Sequence, residues 1–316
     1  FTPIFKTCKP RCRPDRCPIM ADNAPQLPVF VQRFLAIQPG GASHAGGLMV
    51  CMIGVLTACA WMLGGFSMVF SASIAVALML ALSPMISPDV LMKMLRARPL
   101  PTVDYPAIHE MAHLLSERAH LAHMPKLYLL PGKGVNAITT GTSDNTTIAI
   151  SGDAVHGLSP RQLRAILAHE IAHAWHGDTR ILLITDVLYR ATWTIALFGL
   201  AIFIFGDFNP PAWMIILFGA VPTISFLFQR AVIRDREFAA DHGASDLLNG
   251  PEDMIDALLH IDQINRKRLG LLPYRSTQPP SLFDTHPSLG ARIKALRALK
   301  PGTWQKFFEN RRMPLQ

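Results

Sequence analysis

Ala168-His169-Glu170-Ile171-Ala172-His173 is the stretch on which the reading of this chain turns. On a helix, two histidines four residues apart lie on one face, about 40° apart around the axis, so both imidazoles can reach a single metal ion. Glu170 follows the first histidine and points to the side, where it can act on a water at the ion rather than bind the ion. Around the motif, Leu163, Ala165, Ile166, Leu167, Ala168, Ile171, Ala172, Ala174 and Trp175 cover almost the whole circumference. A helix apolar all round is buried, and ionisable groups inside it are costly unless paired or bound to metal. The pattern alone is weakly specific, and the ligand set needs a third protein group.

The chain itself shows that weakness, because His109-Glu110-Met111-Ala112-His113 repeats the pattern. There Ile108, Met111, Ala112, Leu115 and Ala119 fall within an arc of about 100°, which makes an amphipathic helix. His109, His113 and His120 lie beside that arc, towards Glu117. This reads as a surface histidine stripe on a helix that starts at Pro106. The copy at 169–173 is therefore the candidate site.

Outward from the motif, composition sets the environment. Of 316 residues, 50% are hydrophobic and only 16% charged, too apolar for an ordinary soluble domain. Between Arg33 and Asp89 there is no Asp, Glu, Lys or Arg. Residues 46–82 would make one helix of about 55 Å, too long for one ~30 Å crossing and suited to two short ones turned at Gly64-Gly65. A single long tilted helix is the competing reading, and a cleaved signal peptide fits neither the length nor the position. A second apolar region, 181–232, is broken by Asp207-Phe208-Asn209-Pro210-Pro211, a good hairpin tip. Its arms, 191–206 and 212–228, are each a little short of a full span, with Asp186 and Arg190 at the membrane boundary.

Lys6, Lys9, Arg11, Arg13, Arg16 and Arg33 precede the first hairpin, Lys93, Arg96 and Arg98 follow it, and Arg230, Arg234 and Arg236 follow the second. The tips carry no Lys or Arg, so the positive-inside rule puts both termini and the polar segments in the cytoplasm. Topology accounts for the net charge of +8. The basic residues form no aromatic-interleaved patch, so no nucleic-acid partner is expected. Of five cysteines, Cys51 and Cys59 read as small apolar side chains in the first hairpin. Cys8, Cys12 and Cys17 sit in a basic, proline-rich tail, expected to be disordered and to precede a true start at Met20.

The third ligand must arrive on the same membrane side, which an even number of crossings allows. Just after the second hairpin comes Arg234-Asp235-Arg236-Glu237-Phe238-Ala239-Ala240-Asp241. Glu237 and Asp241, four apart, present both carboxylates to one side of a helix. Glu237 can complete a His-His-Glu site, and Asp241 can hold the far nitrogen of a ligand histidine. His176 shares the face of the two histidines, but its place after the metal-binding turn gives it a supporting or surface role.

His169-Glu170-Ile171-Ala172-His173 followed by Glu237-x-x-x-Asp241 resembles the HtpX-like membrane zinc metallopeptidases, the family that also includes the CAAX prenyl proteases. Pro125-Lys126-Leu127-Tyr128-Leu129-Leu130 resembles the strand entering that family's catalytic domain. Val135-Asn136-Ala137-Ile138-Thr139-Thr140-Gly141 resembles its substrate-edge strand, with Ile138 where Phe is commoner. Thr285-His286-Pro287-Ser288-Leu289-Gly290-Ala291-Arg292-Ile293 resembles its late His-Pro motif.

The resemblance implies a mainly α integral membrane protein: a helical gluzincin-type zinc protease domain with a small β-sheet, interrupted by a membrane hairpin. The expected parts are a basic tail (1–45), a transmembrane hairpin (46–83), a first catalytic part (84–180), a second hairpin (181–232) and a second catalytic part (233–316). One zinc ion per chain would be held by His169, His173 and Glu237, with Asp241 behind them. Glu170 would serve as general base, and His286 with Arg292 would stabilise the oxyanion. Residues 135–140 and 146–150 read as a short hairpin whose exposed edge, at Asn136 and Ala137, can pair with an extended substrate. Residues 252–268 read as a cytoplasmic helix and 269–284 as a linker leading to His286. The expected activity is an endopeptidase of the bacterial inner membrane with its active site facing the cytoplasm. Its partners would be the lipid bilayer and unfolded or membrane-protein substrates, in a quality-control and stress-response role. Homo-oligomerisation is left open. The alternative is a specific processing peptidase closer to the prenyl proteases, which have more spans than the four read here.

Overall fold

The structure, a computed structural model, describes residues 42–82, 88–141, 145–206, 210–268 and 287–299. The cysteine-bearing tail, the tip at 207–209 and the linker 269–284 lie outside the described residues, as does His286.

Apolar sequence makes the longest helices. Helix α1 (Ala42–Leu82) loses helical dihedrals at Gly64 (φ −157°, ψ 24°) and Gly65 (φ 59°, ψ −143°). The conformation of Gly65 is one that a side chain would resist. Val76 packs against the cluster of Met52, Leu56 and Leu188. On a straight helix Met52 and Val76 would stand about 36 Å apart, so the chain folds back at the glycine pair. Beyond the turn, Phe66, Phe70, Ile74 and Leu78 are more than half exposed. A continuous apolar surface of that kind calls for an apolar solvent.

Helices α6 (Asp178–Phe205) and α7 (Ala212–Leu248) flank the tip of the second apolar region. With α1 they are the described helices long and apolar enough to cross a membrane. Their 28 and 37 residues exceed the short arms expected from sequence. Asp186, Arg190, Arg230 and Asp235 continue the helices instead of ending them, because neighbouring charges pair or reach outwards. Arg190 donates to Asp186 at 2.6 Å, and Gln229 to the same carboxylate at 3.2 Å. Cys59, Ala196, Phe218 and Val221 form the apolar core among the three.

The remaining elements build around one helix. Helix α5 (Pro160–His176) opens with a capping box, Ser159 and Gln162 each bonding the other's backbone, and Pro160 in its first turn. It closes at Gly177, whose left-handed φ of 69° stops α5 and lets α6 begin at the next residue in a new direction. Residues 165–172 are all buried, as the all-round apolar pattern predicts. Their neighbours include Ile108, Ala112 and Leu115 of α3 (Pro106–Arg118) and Ala244 and Leu247 of α7. Met254, Ala257 and Leu258 of α8 (Glu252–Arg268) join the same core.

A four-stranded sheet covers another side: β1 (Arg98–Pro99), β2 (Lys126–Leu130), β3 (Ala137–Thr140) and β4 (Thr147–Ser151), in the order β1-β2-β4-β3. β2 and β4 are parallel, while β3 and β4 form the antiparallel pair expected from sequence, with Thr139 opposite Ile148. This leaves β3 at the sheet edge. Short helices α2 (Pro88–Met94), α4 (Gly152–Gly157) and α9 (Leu289–Arg297) complete the described chain. His113 in α3 and His120, two residues past its end, are exposed, as the stripe reading has it. His109 differs: its Nε2 bonds the Leu100 carbonyl at 2.9 Å and is half-buried.

Candidate metal centre

Helix α5 carries His169 and His173 one turn apart, and α7 crosses it so that Glu237 faces both. The two Nε2 atoms are 3.2 Å apart. Glu237 Oε2 lies 3.8 Å from His169 Nε2, and Oε1 lies 3.8 Å from His173 Nε2. Among the described residues this is the group of side chains whose donor atoms converge within 4.8 Å.

Behind each imidazole stands a buried carboxylate. His173 Nδ1 lies 2.7 Å from Asp178 Oδ2. His169 Nδ1 lies 3.1 Å from Asp241 Oδ1, within reach but short of hydrogen-bond alignment. Each carboxylate is held in turn by an arginine. Arg236 Nε donates to Asp178 Oδ1 at 2.6 Å, and Arg292 grips both oxygens of Asp241 at 2.7 and 2.5 Å. Burial alone would lower the pKa of His173, but the Asp178 bond and the charges of Glu170 and Glu237 outweigh it and raise it.

This second layer tests whether a metal fits. Carboxylates at both Nδ1 atoms keep the ring protons there, which leaves the two Nε2 lone pairs facing each other at 3.2 Å. Such a pair repels unless a cation sits between. Nitrogens sharing one tetrahedral ion at ~2.1 Å would be about 3.4 Å apart, close to the spacing found. Two imidazoles and a carboxylate also suit zinc among divalent ions. The residues fit.

Glu170 is 7% exposed, and its Oε2 accepts a 2.6 Å hydrogen bond from Thr139 Oγ1 on β3. Asn136 and Ala137 lead into that same edge strand, where Asn136 N is held by Ser151 Oγ at 3.0 Å. Arg292, expected at the oxyanion, spends its guanidinium on Asp241, with Nη1 3.8 Å from Glu237 Oε2. His176 stays outside the converging donors, stacked on Trp175 at 5.1 Å, and burial pushes its pKa down to about 4. Sequence reasoning missed Asp178, Arg236 and Thr139. In the sequence, Arg236 carries only a topological signal. Asp178 follows His173 by five residues, an offset that no continuous helix would make adjacent.

A family model described as Peptidase family M48 matches residues 104–300. Over 276 residues the chain is 29% identical to "Protease HtpX" of Legionella pneumophila (strain Lens), covering 80% of this chain and 96% of that one. It is 30% identical over 223 residues to "Protease HtpX homolog" of Sulfurovum sp. (strain NBC37-1), covering 65% and 79%. Among solved structures, Ste24p of S. mikatae aligns with a TM-score of 0.46 at 20% identity, over 79% of this chain and 62% of that one.

Proposed function

The chain belongs to peptidase family M48, and from that membership we propose a zinc-dependent membrane endopeptidase that removes damaged or misfolded membrane proteins. The observation that carries the reading is the convergence of His169, His173 and Glu237, with Glu170 beside them on a helix buried from 165 to 172. Zinc held there by His169, His173 and Glu237 would supply a Lewis acid that makes hydroxide available near neutral pH. Asp178 and Asp241 fix the two imidazoles, so the metal-facing nitrogens need no reorganisation. The Glu170 carboxylate takes the proton of the attacking water and returns it to the leaving amine. The open edge of β3, from Ala137, accepts an extended peptide through main-chain bonds, which asks little of the substrate's side chains. His286 takes the role of oxyanion donor in this reading.

Weak side-chain preference, together with a metal centre at the root of two membrane helices, suits clearance of membrane proteins. The basic residues beside the apolar helices support a cytoplasmic active site. The long apolar helices, in a chain with bacterial relatives, support a plasma-membrane location.

The test is cleavage of an unfolded model protein, in detergent with zinc, by wild type and by Glu170→Gln. The swap keeps shape and removes the base, so activity in the wild type alone is the expected result. Equal activity in both would overturn the role of Glu170. Cuts in membrane substrates should map to cytoplasmic loops, and a map dominated by loops on the opposite side would sink the proposed orientation.

A further inference from the structure

Glu170 needs two things to work as a base: a charged carboxylate inside a buried helix, and one oxygen kept free and aimed. A buried carboxylate is costly without a donor, and the Glu side chain has three rotatable bonds to restrain. Among the described residues, one donor reaches it from outside the helix. Thr139 Oγ1 lies 2.6 Å from Glu170 Oε2, and 3.2 Å from the same residue's main-chain carbonyl. One hydroxyl carries one proton, and the shorter, charge-assisted contact to Oε2 is the stronger claim on it.

The hydroxyl is itself fixed from elsewhere. Thr139 is β-branched, which restricts its side-chain torsion on a strand. Its backbone pairs with Ile148 of β4, a fully buried residue, so the sheet sets where the oxygen stands. Ala137 and Thr139, two residues apart, share one face of β3. The same short strand therefore anchors the base and offers its open edge to substrate.

We propose that Thr139 is a positioning residue: it commits Glu170 Oε2 to the sheet and leaves Oε1 for proton transfer, tying the base to the substrate strand. The inference rests on the peptidase reading. Thr139→Val keeps the shape and removes the donor; Thr139→Ser keeps the donor.

The experiment uses full-length zinc-loaded protein in detergent, as wild type, Thr139→Val, Thr139→Ser, Glu170→Ala and the double variant Thr139→Val/Glu170→Ala. Loss of one hydrogen bond to a charged group predicts a kcat roughly tenfold or more lower in Thr139→Val, with KM within about twofold and zinc content unchanged. Thr139→Ser should return kcat to within about threefold of wild type. In the Glu170→Ala background, Thr139→Val should change the residual rate no further, because the group it positions is gone. The same set gives a cycle of thermal midpoints whose coupling between the two positions should be non-zero whether or not activity is seen.

Wild-type kcat in Thr139→Val, an equal loss in both backgrounds, or a loss matched by missing zinc would overturn the positioning role. Zero coupling in the midpoints would do so too. A wild type with no more activity than Glu170→Ala would overturn the peptidase reading, and the positioning role with it.

Discussion

Each metal-facing histidine is one end of a three-member chain. His173 leads to Asp178 and Arg236, and His169 leads to Asp241 and Arg292. The arginines pair with both carboxylates inside the protein, and each carboxylate stands at the ring nitrogen that faces away from the converging donors. Asp178→Asn and Asp241→Asn should each weaken zinc binding 10- to 100-fold, read by competition with a chelating dye. Glu237→Ala should lose stoichiometric zinc altogether, since it removes a ligand. His176 makes a different prediction. Burial holds it near a pKa of about 4, below the ordinary 6.5, so the unfolded chain binds its proton before the folded one does. Its contribution to stability is complete above pH 6.5 and is lost as pH falls from 6.5 towards 4, by at most about 3 kcal/mol. In metal-free protein, His176→Asn should flatten the fall of the thermal midpoint across that window. At this scale the ligands were legible, because the motif spacing and the carboxylate pair after the hairpin carry their own signals. Asp178 was not legible: it reaches His173 only because Gly177 turns the chain between two helices.

Among the elements, the decisive contact is that of α5 with α7. A Cβ on Gly243 would stand 2.9 Å from both Ala172 Cβ and His176 Cε1. Ala172 cannot withdraw, since it is fully buried on α5. Gly243→Val should therefore push α7 off α5, separating Glu237 from the histidines. Zinc content and the thermal midpoint should fall together, whereas a side-chain effect confined to the surface would lower neither. The existence of these elements was readable from hydrophobic pattern, and the turn at Gly64-Gly65 from composition. Helix lengths were not. Charged residues near the apolar arms look like ends in a sequence, but α6 and α7 carry them through as paired or outward-reaching side chains.

For the whole molecule, the apolar helices and the candidate metal centre cannot be separated, because α6 begins at Asp178 and α7 ends beyond Asp241. The proposed orientation makes an accessibility prediction. In a cysteine-free background, a cysteine in place of Asn209 should react with a membrane-impermeant maleimide added outside intact cells. One in place of Lys133 should react only after lysis, and the opposite pattern would reverse the topology. Sequence could supply this scale only through counts of basic residues and apolar runs. The way two distant segments share one core at α5 depends on three-dimensional packing that no run or count encodes.

Helix α7 is one unbroken element from Ala212 to Leu248, so the third ligand is mounted on the same rod that sits in the lipid. Eight residues separate Gln229 from Glu237, about 12 Å of helix that cannot stretch. In the proposed reading, the height of the metal centre above the lipid surface would be set by how deeply that rod is seated. Peptide bonds presented at that elevation would be cut, and bonds held closer in or farther out would not. A thicker bilayer would cover more of that rod, and would bring the lipid surface closer to the blade as well as the anchor.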